Sequence, residues 1–342
     1  MKPYRASLCL AAGLAVCLLA CGEDADPTAV SAAPAIDAAQ PATTTAAASS
    51  QTPPSDESQR GIPVYESAAT WGDDPSGVSF SSPNGIAIDS SDNVYVTEFR
   101  GNRVQKFTAD GVLVTQWGSE GSGEGQFQNP TGIAIDGDGN VYVSESGNHR
   151  VQKFTSDGRW LASWGSRGSG EGEFLSAMVI AADTDGKLYV SDWGNNRIQV
   201  FDSDGAFVDA WGQSGTQSGE LTTPTGLKVD SDGHLWVVDR GNSRVQKFTR
   251  DGEFLATWGN VGTGLGQFRV PTSIAIDGDG NFYVAEVEGS RVQIFSPAGN
   301  YLSELAPGFL SGPHGLAFDS MGNLYVGDTR NNQVKKFRLA KQ

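Results

Sequence analysis

All three cysteines of this 342-residue sequence, Cys9, Cys17 and Cys21, fall within its first 21 positions. Beyond Cys21 the chain has no disulfide and no thiol chemistry, whatever the redox compartment. Histidine is equally scarce, with His149, His234 and His314 as the full set. The longest apolar run, SLCLAAGLAVCLLA, is shorter than the ~20 residues of a comfortable membrane span. Basic charge is also short: residues 61–342 keep 34 of the 40 acids but only 21 Lys and Arg, a net of −13. Such a surface repels phosphate backbones, so nucleic acid is not an expected partner.

The first sixty residues differ from the rest. MKPYR and the apolar run after it read as an export signal over residues 1–20. The run ends Leu18-Leu19-Ala20-Cys21-Gly22, which resembles the lipobox of bacterial lipoproteins. That resemblance implies cleavage before Cys21 and acylation of its thiol. Gly22 stands where an aspartate, in some such proteins, causes inner-membrane retention, so an outer-membrane anchor is expected. Residues 21–60 are rich in Ala, Thr, Ser and Pro and contain no aromatic residue. They cannot bury enough apolar surface to offset their ordering entropy. As a random coil the segment spans roughly 35 Å.

From residue 61 the chain repeats itself. GNRVQKFTADG returns as NHRVQKFTSDG, NNRIQVFDSDG, NSRVQKFTRDG and GSRVQIFSPAG. Asp89, Asp136, Asp183, Asp230 and Asp277 recur at a period of 47, and Asp319 comes after 42. A period in the forties with four short apolar runs per unit predicts a propeller. In the second unit GIAID, VYVSE, RVQKF and WLASWG are the four strands, separated by Gly-Asp-Gly, Ser-Gly-Asn-His and Ser-Asp-Gly. β-branched and aromatic runs broken by Asp-Gly favour antiparallel hairpins over helices.

Fourth-strand tryptophans fall at Trp71, Trp117, Trp164, Trp211 and Trp258, with Leu305 in the sixth place. Trp71 precedes any complete unit, and the last unit stops after QVKKF. The expected architecture over 61–342 is therefore all-β: a six-bladed β-propeller with four antiparallel strands per blade, its ring closed by the N-terminal strand. Closure of this kind removes an exposed sheet edge.

The unit P-x-G-I-A-[IV]-D…N-V-Y-V-[ST]-[DE]-x-x-N-x-R-[VI]-Q-x-F…WG resembles the NHL repeat, over about residues 62–342. The resemblance implies a six-bladed propeller but no single activity, because the family includes amidating lyases, sensor domains and RNA- or protein-binding modules.

An acid ends each second strand (Glu98, Glu145, Asp192, Asp239, Glu286, Asp328), and an arginine stands five positions later in five units (Arg103, Arg150, Arg197, Arg244, Arg291). Buried charges persist when paired, so these are expected to be structural. Each acid should accept backbone N–H groups of its Gly-Asn loop, and each arginine should tie blade to blade. Asp136-Gly-Asp138-Gly-Asn140 and Asp277-Gly-Asp279-Gly-Asn281 look like calcium-loop openings, but without flanking helices they read as hairpin turns. The loops GSEGSGEGQF, GSRGSGEGEF and GNVGTGLGQF lack the Lys-Ser/Thr of a phosphate cradle and read as blade connections anchored by Phe127, Phe174 and Phe268. His149 and His234 are expected to face solvent.

Amidating lyases of this fold place zinc-binding histidines just after the proline of the innermost strand. The matching positions here are Asn84, Thr131, Met178, Thr225, Thr272 and His314. One histidine cannot build a three-ligand zinc site. Lactone hydrolases with six blades need acids and amides at the channel, where only Asn84 qualifies. Accordingly no catalytic residue, metal or cofactor is expected. The expected function is that of an exported, lipid-anchored binding or scaffold module. Its alternative is a metal-dependent lyase or hydrolase with a degenerate site. Loops that vary between repeats mark the binding face. They place Phe99, Trp193 and Arg240 around the inner ring, for a protein, peptide or glycan partner.

Overall fold

The computed structural model describes residues 62–72, 78–305 and 307–340. The signal, Cys21 and the tether lie outside these residues. Six four-stranded antiparallel sheets succeed one another along the chain. Blades 1 to 5 occupy residues 83–117, 130–164, 177–211, 224–258 and 271–305. Blade 6 combines Pro313–Phe318, Leu324–Asp328 and Gln333–Leu339 with Tyr65–Trp71 as its outermost strand. The innermost strands touch in cyclic order, the sixth meeting the first, so they enclose an axial channel. The NHL-type reading of the fold is correct in its blade count, strand count and closure.

The hairpin turns form because one aspartate accepts several donors. Asp136 Oδ1 accepts the backbone N–H groups of Asp138 and Asn140 at 3.0 and 2.9 Å. Gly139 takes φ +82°, a left-handed conformation suited to glycine. The other carboxylate oxygen accepts the hydroxyl of Tyr142 at 2.8 Å. Asp89, Asp183, Asp277 and Asp319 hold Tyr95, Tyr189, Tyr283 and Tyr325 in the same way. Each tyrosine is fully buried, and burial together with the adjacent carboxylate pushes its phenol well above its ordinary value. These aspartates are thus cores of the framework as well as turn formers.

Hydrophobic clusters lie between neighbouring blades. Val94, Val96 and Phe107 of blade 1 pack on Trp71, Tyr325 and Val334 of blade 6. All five residues of every second strand are buried, consistent with sheets covered on both faces. Crowding at the axis requires small residues. A Cβ at Gly132 would lie 2.7 Å from Val179 Cα of the next blade. Phe127, Phe174 and Phe268 are fully buried as expected, with Leu221 in their place between blades 3 and 4.

Candidate functional site

The acid at the end of each second strand is completely buried, but its donors differ from those expected. Glu145 Oε2 accepts the backbone N–H of Gln128, in the connection arriving from blade 1, at 2.8 Å. The Gly-Asn loop contributes a side chain instead: Asn148 Nδ2 donates to the same oxygen at 2.6 Å. Arg150 Nε and Gln152 Nε2 donate to Oε1 at 2.6 and 2.8 Å. The remaining guanidinium N–H groups of Arg150 reach the carbonyls of Ser122, Gly123 and Gln126. The arginine therefore ties each blade to its incoming connection. The loop's backbone N–H groups go to carbonyls of the incoming connection instead, Ser146 to Asn129 and Gly147 to Gln128. In blade 6 Gln333 stands at the arginine's register, and Lys335, at the glutamine's, supplies the positive charge 2.8 Å from Asp328. These six knots are filled by protein donors, which leaves no room for a bound cation.

The predicted ring is brought together as the second residue of each innermost strand. Its members are not equivalent. Thr131 Oγ1 donates to the carbonyls of Ser144 or Ala177, and Thr272 Oγ1 to those of Ala285 or Pro313. Those hydroxyls serve the framework. Met178 is half-buried beside Ser176 Oγ, 3.5 Å away. The buried hydroxyl of Thr225 has no partner among the described residues.

His314 lies at the connection end of its strand, with Nδ1 3.1 Å from Gly312 O. A carbonyl can only accept, so Nδ1 carries the proton and Nε2 keeps its lone pair. Burial lowers the imidazole to about 4, and the Arg240 and Arg330 guanidinium groups push in the same direction. The ring is neutral at pH 7. Arg240 comes directly after the second strand of blade 4. Its buried Nε has no hydrogen-bond partner among the described residues, and burial lowers the guanidinium while the Glu288 carboxylate opposes this. Glu288 accepts from Arg330 Nη2 at 2.8 Å. This mouth thus carries a neutral imidazole, two guanidinium groups and one carboxylate.

Phe99, Trp193 and Arg240 are half-buried, less exposed than free-standing loop anchors. The Trp193 indole nitrogen is buried without a partner among the described residues. The three residues sit at the ends of second strands, where a turn must fold back over the blade. His149 and His234 are also half-buried, and the Nδ1 of each is enclosed without a hydrogen bond. Each side chain keeps part of its surface in solvent while its Nδ1 turns inward. His149 adopts φ +54° at the loop end, and His234 folds back toward Asp230 Oδ1 at 3.5 Å.

Among the described residues, Asp230, Asp232 and His234 are one trio spaced closely enough to hold a metal ion. They belong to a hairpin turn at the opposite end of the innermost strand from His314. Asp230 there already accepts the N–H groups of Asp232, His234 and Trp236 and pairs with Lys247 at 2.9 Å. The inner ring offers one imidazole, one amide and hydroxyls, without a carboxylate. That donor set fits neither tetrahedral zinc nor oxygen-rich calcium.

Comparison with known proteins adds a family. Residues 77–337 match the model of the virginiamycin B lyase family. No curated protein matches the chain in sequence. Among solved structures, an inactive virginiamycin B lyase from Staphylococcus aureus with quinupristin is 18% identical. It aligns over 77% of this chain and 83% of its own, with a TM-score of 0.57. A gluconolactonase from Xanthomonas campestris is 18% identical over 76% of this chain and 87% of its own, at 0.57. A Bacteroides thetaiotaomicron protein of unknown function is 21% identical over 83% and 74%, at 0.61. At such identities these structures support the fold. The match over residues 77–337, on six closed blades, makes this chain a member of the virginiamycin B lyase family.

Proposed function

We propose that this propeller binds a peptide or lactone ligand at the connection-side mouth of its channel, without a resident metal. Polar groups left free there carry the reading. The Asn84 amide makes no hydrogen bond among the described residues, Arg240 Nε is unpaired, and His314 Nε2 is open. Equivalent threonines in blades 2 and 5 are consumed by the framework. Unpaired buried donors favour a ligand that pairs them. Arginine and tryptophan are frequent binding anchors, which keeps Arg240 and Trp193 as the contacts of choice. Export and lipid anchoring through Cys21 are part of the same proposal, as is placement in the bacterial cell envelope.

A second reading is favoured by the family and by the lyase and gluconolactonase neighbours: that the mouth opens a lactone. His314 Nε2 would then act as the proton acceptor, with Arg240 stabilising negative charge that develops on the ester. The residues present do not fit a catalytic zinc or calcium, so no step is assigned to a metal.

Titration calorimetry and mass spectrometry on the purified protein, with quinupristin and glucono-lactone as probes, separate the two. Saturable binding that weakens at least about tenfold in a Trp193→Ala/Arg240→Ala double variant, with both probes chemically intact, supports the binding module. Ring opening abolished by His314→Gln supports the lyase or hydrolase reading. Stoichiometric metal, with activity lost on chelation, would overturn the metal-free site.

A further inference from the structure

Blade 4 departs from its five neighbours at the axis of the ring. The fifth residue of the innermost strand is Ala87, Ala134, Ala181, Ala275 and Ala317 in the other blades, and Lys228 in blade 4. The residue paired with it across the sheet is tyrosine in those blades and Trp236 here. Alanine at this register suits the crowding next to the axis, and a lysine side chain cannot be accommodated between the blades. Lys228 is exposed to water, while the protein around it lowers its ammonium from the ordinary lysine value. A side chain that is both wetted and enclosed at the centre of a ring lies in the axial channel.

Its ammonium has no hydrogen bond and no ion pair among the described residues, and none of their acidic groups is near enough to act on it. Enclosure alone lowers it from the ordinary lysine value. This is unusual in a chain of net charge −16, where carboxylates are abundant and other inward-reaching lysines are paired: Lys106 with Asp89, Lys247 with Asp230, Lys335 with Asp328. A partly desolvated cation without a counter-charge favours an anion that pairs it. The same blade supplies two more unpaired groups, the buried Thr225 hydroxyl on the same strand and Arg240 Nε at the mouth. An acidic exterior around a cationic bore focuses field lines along the axis.

We propose that Lys228 anchors an oxyanion site inside the channel, taking a small carboxylate or phosphate. Three ammonium N–H donors suit either group. The site is separate from the ligand mouth: Lys228 lies three residues beyond Thr225, about 10 Å farther along an extended strand.

Lys228→Ala is the natural control, because it installs the residue that five blades already carry. Titration calorimetry at pH 7 with sodium acetate and with sodium phosphate, against sodium chloride, reads the site directly. The expected result is saturable binding of at least one oxyanion. That binding weakens at least about tenfold in Lys228→Ala and persists in Lys228→Arg. Which salt binds decides between carboxylate and phosphate. Absence of binding to the parent protein, equal binding by Lys228→Ala, or loss confined to Arg240→Ala would each overturn the proposal.

Discussion

Replacing Trp71 by alanine tests the closure of the ring at its most loaded point. Trp71 is 4% exposed and ends the strand whose six Cα pairs run from Tyr65↔Leu339 to Trp71↔Val334. Its indole stands 5.4 Å from the Phe107 ring of blade 1 and 5.6 Å from the Tyr325 ring of blade 6. It also covers Gly111, where a Cβ would come within 2.4 Å of its Nε1. One side chain therefore joins the closing strand to its own sheet and to blade 1. Large-to-small replacement at such a site costs about 3–5 kcal/mol. At about 2 °C per kcal/mol for a domain of this size, the melting temperature should fall by ~6–10 °C in scanning calorimetry. Trp117→Ala is the internal comparison, since its indole occupies the equivalent place in blade 1 but is only half-buried. It should cost less. A Trp71→Ala protein that melts within about 2 °C of the parent would refute closure by the N-terminal strand as a source of stability.

Glu145→Ala leaves Arg150, Gln152, Asn148 and the Gln128 N–H without their shared acceptor. Removing one partner of such a buried pair should cost about 3–5 kcal/mol, read by urea titration. Because His314 is lowered to about 4 in the folded chain, the unfolded chain binds more protons between that value and 6.5. Stability should fall as pH drops through this window, by roughly 3 kcal/mol in full. His314→Gln should flatten the curve there, and an unchanged curve would show that the imidazole is not enclosed. Cys21→Ser should abolish lipid attachment, checked by mass spectrometry and membrane fractionation; a variant that is still acylated would sink the lipoprotein reading.

The repeat made the fold legible because each blade solves the same packing problem with the same residues. Asp136, Tyr142, Glu145 and Arg150 recur with fixed spacing, and spacing is what a single sequence displays. What each group touches was less visible. The Asp-Gly pairs read as turns, yet Asp136 also holds a buried tyrosine hydroxyl six residues on. Sequence proximity pairs the acid of Glu145 with its local loop, whereas its backbone donor, Gln128, lies 17 residues earlier in the incoming connection. Inner-ring positions could be listed from the proline register, but not which hydroxyls the framework uses. Lys228 is hidden in the sequence because GLKVD reads as one more variant of GIAID. Only the closed ring puts the strand that carries it beside the axis.

Pairing the first strand with the last also sets an order of events during synthesis. Glu66 and Arg338, partners across the closing sheet, lie 272 residues apart in the chain. Blades 1 to 5 are each built from contiguous segments and can form as they emerge. The strand made first has no partner until the last one is complete. At 5–20 residues per second this wait lasts about 15–50 s, with the Tyr65–Trp71 edge open to other strands throughout. Pairing of Gln333–Leu339 with Tyr65–Trp71 is the step that closes the ring. Any shortened product ending before Gln333 keeps an open edge for good and is a natural substrate for quality control.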